Sequence, residues 1–199
     1  MKYVSIDIET CGLNPKEDSI LEFGAVIDDL TVQAPLAELP RFHCYIIPKE
    51  TNYSGHPAAL AMHTEIFKRV AKPVEGLNYR RPNNLGGLFT EFLISCGYKN
   101  EPGAITINVA GKNFSGFDNR FLEEQTNFHD FIRPRHRVID VTSHFVNQGD
   151  EVLPDLKTCL SRAGIEKQVE HTAIADALDV VSLVRWAIGG IYKSRELLP

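Results

Sequence analysis

The stretch KYVSIDIETCGLNP, residues 2–15, decides how this chain is read. Val4, Ile6 and Ile8 alternate as the apolar face of a strand, and between them the same strand carries Asp7 and Glu9. Side chains alternate across a strand, so the two acids share a face, about 6.6 Å apart at a rise of about 3.3 Å per residue. Ionised carboxylates that close repel each other, more so beside a core, and a protonated partner, a basic side chain or a metal cation must offset the repulsion. Taken alone, the pair is equally well read as a strand end facing solvent or as a functional site.

Working outward, residues 2–9, 19–29 and 41–47 read as three strands separated by the turn CGLNPKED and by a loop with Pro35 and Pro40. Connections this short leave no room for crossover helices and predict antiparallel neighbours. Helical spacing follows at 57–71 and 85–96, then a strand at 104–110, a helix over about 115–124, a strand at 137–141, and helices near 154–163 and 173–189. The pattern is α/β, a mixed sheet with helices on both faces. Segment 72–84 (KPVEGLNYRRPNN) reads as a mobile loop whose Lys72, Arg80 and Arg81 are either solvated or phosphate contacts.

The 199 residues are 43% hydrophobic, enough for one sizeable core, so a single domain over 1–199 is expected. The first apolar run is short and acidic, and no apolar run reaches the ~20 residues of a membrane span, which predicts a soluble, cytoplasmic protein with no membrane partner. Cys11, Cys44, Cys96 and Cys159 are too scattered for a zinc site or a disulfide framework and read as reduced thiols. A formal charge of −5 gives no basic face for gripping long nucleic acid, so a polyanionic partner has to be held locally.

Two further clusters bear on the acids. In AGKNFSGFDNRFL, 110–122, a strand ends in a glycine-bearing turn and Asp118 falls in the first turns of a helix. If the first and fourth strands are neighbours, Asp118 approaches Asp7 and Glu9; otherwise it is a surface residue. In HTAIADALD, 171–179, Thr172 is an N-cap that leaves His171 just outside a helix and Asp176 near its first turn. A capping histidine and an acid favoured by the helix dipole account for these two as well. Clusters of oxygen ligands without cysteine suit hard cations such as Mg²⁺ or Mn²⁺, and several carboxylates together suit two of them.

The ordered set DIET at 7–10, Asp118 within GKNFSGFDNRFL, and His171 with Asp176 in HTAIAD resembles the DEDDh 3′-to-5′ exonucleases, which include proofreading polymerase subunits, RNase T and oligoribonuclease. The resemblance covers roughly residues 2–187. It implies a ribonuclease H-like fold with a five-stranded mixed sheet, its first three strands antiparallel. It also implies that Asp7, Glu9, Asp118 and Asp176 hold two divalent cations, Mg²⁺ or Mn²⁺, and that His171 is the general base; a histidine ordinarily exchanges its proton near neutral pH. By the same carry-over Leu13 packs on the terminal base, and Thr10 and Cys11 lie where backbone groups meet the 3′ end. His63 matches a helix histidine near the bound strand, although Thr64 stands where a glycine often follows. Asn113 matches an Asn expected to brace the active-site loop, and Asp140 a strand Asp with a structural role. Phe114 and Phe117 are candidates for base stacking or for the core.

The activity implied is hydrolysis of phosphodiester bonds at the 3′ end of single-stranded DNA or RNA, releasing nucleoside 5′-monophosphates. A non-catalytic nucleic-acid-binding or polymerase-associated module is the alternative. A haloacid-dehalogenase-like phosphatase with Asp7 as nucleophile is a further one, but it leaves His171 idle. The apolar C-terminal helix serves either a homodimer or its own sheet, and a proofreading role would require a separate polymerase partner.

Overall fold

A computed structural model of the protein describes residues 1–195 apart from 33, 49, 51, 100, 101, 168 and 169, and no side chains over 190–195. The chain opens with the expected meander: β1 (Lys2–Thr10), β2 (Ile20–Asp29) and β3 (Arg41–Ile46). Register pairs Asp7 with Gly24 and Glu9 with Glu22, and a bulge between Glu9 and Thr10 ends the regular ladder at the acids. Then come α1 (Pro57–Met62), α2 (Thr64–Ala71), β4 (Tyr79–Arg80) and α3 (Leu85–Ser95). The second half holds β5 (Ile105–Ile107), β6 (Val109–Gly111), α4 (Asp118–Gln125), α5 (Phe128–Phe131), β7 (Ile132–Pro134), β8 (Ile139–Asp140), α6 (Leu156–Arg162) and α7 (Ala173–Arg195).

The main sheet runs β4-β3-β2-β1-β6-β8. It is mixed: β1, β2 and β3 are antiparallel, while β6 lies parallel to β1 and β8 parallel to β6. Six strands replace the expected five, because Tyr79 and Arg80 pair in parallel with Tyr45 and Ile46 at the edge. The 72–84 segment is therefore anchored rather than a free loop, and Tyr79 stacks on Tyr45 at 5.4 Å. The expected strand at 104–110 breaks at Asn108, whose side-chain amide donates to the Lys2 carbonyl at 2.9 Å. Before the break β5 lies outside the main sheet and pairs with β7, and after it β6 joins the main sheet.

The alternation of β1 sorts the two layers. Val4, Ile6 and Ile8 face a core with Leu85, Phe89 and Leu93 of α3 and Phe121 and Leu122 of α4. Tyr3 faces a second core built on Leu156 and Leu160 of α6 and Val180, Val181 and Val184 of α7. Asp7 and Glu9, in step with Tyr3, therefore lie on the α7 side. The apolar stripe of α7 packs on its own sheet, and Arg185 anchors the middle of the helix to Asp28 at 2.6 and 3.0 Å. All four cysteines are free thiols. Among the described residues no helix is long and apolar enough to cross a membrane.

Candidate active site

Three elements deliver the acids. The end of β1 supplies Asp7 and Glu9, and the first turn of α7 supplies Asp176; one carboxylate oxygen from each lies within 4.8 Å of the others. Asp118 arrives from the neighbouring strand: β6 runs parallel to β1, and the turn after it starts α4 at Asp118. The buried Asp118 carboxylate accepts the Ile8 N–H at 3.0 Å, which fixes it between the two β1 acids from the opposite layer.

α7 is brought to this position by β2. Glu22, buried and opposite Glu9, accepts the Ala173 N–H at 3.2 Å, and its other oxygen meets His43 Nε2. A Cβ on Gly24, opposite Asp7, would lie 2.4 Å from the Ala173 carbonyl carbon, so only glycine lets the helix start so close to the sheet. Thr172 caps the helix as expected, its hydroxyl accepting the Ala175 N–H at 3.4 Å. His171 precedes the cap with φ of 41°, a left-handed conformation uncommon outside glycine, and is exposed beside Asp176. Glu22 and Gly24 were not singled out from the sequence; the signal was their place on the same face as the acids, two residues apart on the neighbouring strand.

The electrostatics are those of a cluster short of positive charge. Burial first, then Asp118 and Glu9, holds the Asp7 carboxyl well above the usual carboxylate range. Glu9 is pushed up to about 8 by burial and by Asp176, and Asp176 to about 6 by burial and by Asp179. Asp118 is raised as well, chiefly by burial. Among the described residues no lysine or arginine forms an ion pair with any of the four; the one contact is His63 Nε2, 3.5 Å from Glu9 Oε2. One oxygen of Asp176, Oδ1, is buried without a hydrogen-bond partner. Converging carboxylate oxygens with an orphaned buried atom among them fit a hard divalent cation. Asp7, Glu9 and Asp176 form the compact group that could hold such an ion, with Asp118 close enough to Asp7 to raise it.

Beside the acids lies a cleft of about 790 Å³, lined by Ile8, Glu9, Thr10, Leu13, His63, Phe117 and Arg120 among others. Leu13, 83% exposed, and Met62, 61% exposed, both line it, and its lining is mostly apolar. The residues expected to meet substrate divide here. Leu13, Thr10, His63 and Phe117 line the cleft. Cys11 is turned inward: its side chain is buried, its N–H donates to Ser19 at 2.8 Å and its carbonyl accepts the His56 N–H at 2.7 Å. The Thr10 hydroxyl is tied to the Gly12 carbonyl at 2.6 Å. Phe114 is buried in the core, whereas the half-buried Phe117 leans on Phe121 at 5.0 Å.

His63 also breaks the expected helix at 57–71 into α1 and α2, because its buried ring turns in toward Glu9. Burial holds His63 below the ordinary histidine range. Asn113 is the pivot of the loop after β6: with φ of 56°, its N–H donates to Asp140 at 3.2 Å and its carbonyl accepts from Gly116 and Phe117, each at 3.0 Å. Asp140 also accepts from the N–H and hydroxyl of Thr142, at 3.0 and 2.8 Å, and stays out of the acid cluster.

Residues 4–72 match the Exonuclease family model. That match falls on the segment that carries DIET and His63, and over those residues it agrees with the expected resemblance to exonucleases. The chain superposes on cell-death related nuclease 4 with a TM-score of 0.65 at 12% identity, covering 95% of this chain and 64% of that one. It is also similar to E. coli exonuclease I in complex with a dT13 oligonucleotide, with a TM-score of 0.56 at 17% identity, covering 92% of this chain and 40% of the other. The zinc-bound E. coli exonuclease I–single-stranded DNA complex gives 0.59 at 17% identity, with coverages of 94% and 40%. At such identities the likeness shows the fold, and the chain spans about two fifths of the exonuclease I chains it matches. No curated protein sequence matches it.

Proposed function

We propose that this chain is a metal-dependent 3′-to-5′ exonuclease, a single catalytic domain that hydrolyses the terminal phosphodiester bond of single-stranded DNA or RNA and releases nucleoside 5′-monophosphates. The observation that carries this reading is the convergence of Asp7, Glu9 and Asp176 oxygens within 4.8 Å, with Asp118 adjoining, at one end of a mostly apolar cleft.

Asp7, Glu9 and Asp176 would hold a divalent ion, Mg²⁺ or Mn²⁺, and Asp118 would help to hold a second. Two such ions supply charge neutralisation at the attacking and leaving oxygens and a water of lowered pKa. His171, on the exposed step before α7, accepts the proton of the attacking water at a ring nitrogen. Leu13 and Phe117 hold the terminal base in the cleft, and the polar wall at Thr10 and His63 faces its ribose. Exonuclease I bound to oligonucleotides and to zinc supports single strands as substrate and a divalent ion as cofactor. The test is a product time course on labelled single-stranded DNA, duplex DNA, RNA and a dinucleotide, each with Mg²⁺, Mn²⁺ or EDTA. Mononucleotide release that EDTA and Asp7→Ala both abolish is expected. Release that persists in EDTA contradicts the proposal.

A further inference from the structure

With a net charge of −5, the protein has to hold a polyanion somewhere specific. Beside the acids lies a second groove, of about 530 Å³, lined by Lys112, Lys157, Lys167, His171, Asp155 and Asp176. Glu9 lines the first cleft and Asp176 the second, and their oxygens are within 4.8 Å of each other, so the two meet at the acid cluster. A strand with its reacting linkage over the acids therefore occupies both.

The three lysines come from three separate places: the turn after β6, the second residue of α6, and the segment before α7. Lys167 is committed to Asp179. Lys112 and Lys157 are exposed and, among the described residues, make no hydrogen bond or ion pair. Asp155 caps α6 through the Thr158 N–H at 2.7 Å and feels the charge of both lysines without pairing with either. Lys112 stands near enough to the acids to favour the charged form of all four. Two uncommitted ammonium groups in a groove of nucleotide size match the point-charge recognition that lysine gives a phosphate.

We propose that Lys112 and Lys157 bind the phosphate immediately 5′ of the scissile linkage, on a single strand whose terminal nucleotide lies in the Leu13 cleft. The proposal rests on the exonuclease reading for the direction of the strand. It makes the grip on nucleic acid local, independent of base sequence, and dependent on a substrate with a phosphate at that position.

The test is strand binding by fluorescence anisotropy in an Asp7→Asn background, which separates binding from hydrolysis. Two oligonucleotides are compared over a salt series, one all-phosphate and one with a neutral methylphosphonate at the second linkage from the 3′ end. In single strands each neutralised phosphate contributes about −0.7 to the slope of log K against log salt. The neutral linkage is expected to reduce the slope by about 0.7. Lys112→Ala with Lys157→Ala should reduce it by a similar amount on the all-phosphate strand and add nothing on the neutral one. Moving the neutral linkage to the fourth position should restore the effect of the lysines. Equal losses from the neutral linkage with and without the lysines overturn the proposal, as does a slope that neither change alters. Coupling in binding together with no mononucleotide release from the unsubstituted protein leaves the phosphate site standing and removes the exonuclease reading. Release without coupling does the reverse.

Discussion

The Ala173 N–H donates to Glu22 Oε2 at 3.2 Å, joining the first residue of α7 to the strand position opposite Glu9. Through this bond β2, which carries no metal ligand, sets where Asp176 stands relative to the β1 acids. Glu22→Ala leaves a helix N–H unanswered and His43 without its acceptor, and loss of such buried partners costs about 1–3 kcal/mol. Urea denaturation should show that loss, and Mn²⁺ titration should show weaker metal binding as well. Metal affinity unchanged in a destabilised variant would mean that Glu22 supports the fold alone.

Gly24→Ala tests the same contact sterically. The added Cβ meets the Ala173 backbone at 2.4 Å, so the start of α7 has to move. Overpacking of this kind costs about 1–3 kcal/mol. The variant is expected to fold, melt earlier and lose activity in excess of its stability loss, because Asp176 moves with the helix. Full activity in the folded variant would show that the approach of α7 to β2 is not what aligns the acids.

The acid cluster fixes the sign of the pH response without metal. Glu9 and Asp176 are raised to about 8 and about 6, and Asp7 and Asp118 are raised with them. Ordinary carboxylates titrate near pH 4, so between about pH 4 and pH 8 the folded state binds more protons than the unfolded one and stability falls as pH rises. Carboxylates held low, such as Asp150 at about 2, act below that window, and the lowered His63 opposes the trend within it as one group against four. The melting temperature in EDTA should therefore decline from pH 5 to pH 8, and Mn²⁺ should raise it most at pH 8, releasing protons as it binds. A melting temperature in EDTA that climbs over this range refutes the electrostatic account of the cluster.

Leu13 separates substrate contact from stability. At 83% exposure it packs on little of its own chain, so Leu13→Ala should leave stability within about 0.5 kcal/mol. KM for a single strand should rise while kcat with saturating strand changes little. An unchanged KM would remove Leu13 from the binding surface.

His171→Ala should act on the chemical step. Loss of a general base typically costs about 10²–10⁴ in rate. Mn²⁺ affinity should fall far less than the rate, since His171 is exposed and outside the Asp7, Glu9 and Asp176 group and acts on Asp176 only through its charge. Metal-dependent turnover at the unsubstituted rate would withdraw the base role.

Much of this was legible in the sequence because strand alternation and turn residues are local signals. DIET on an apolar strand, the short meander and the Thr172 cap each follow from neighbours in the chain. What stayed hidden depends on contacts between distant segments. The two-residue β4 pairs through backbone groups of Tyr79 and Arg80 and leaves no apolar alternation to read. The helix at 57–71 breaks because His63 turns toward Glu9, and the strand at 104–110 breaks because Asn108 bonds back to Lys2. Glu22 was not singled out because its partner, the start of α7, lies 151 residues away in the chain.

The central claim is that Asp7, Glu9, Asp118 and Asp176 form the centre where a strand is shortened from its 3′ end. The most direct measurement follows a 5′-labelled single strand over time with Mg²⁺, using the unsubstituted protein and Asp176→Asn. The account predicts a ladder that shortens one nucleotide at a time with the label retained, and no ladder for Asp176→Asn. Immediate loss of the 5′ label, cuts within the strand, or an unchanged rate in Asp176→Asn would contradict it.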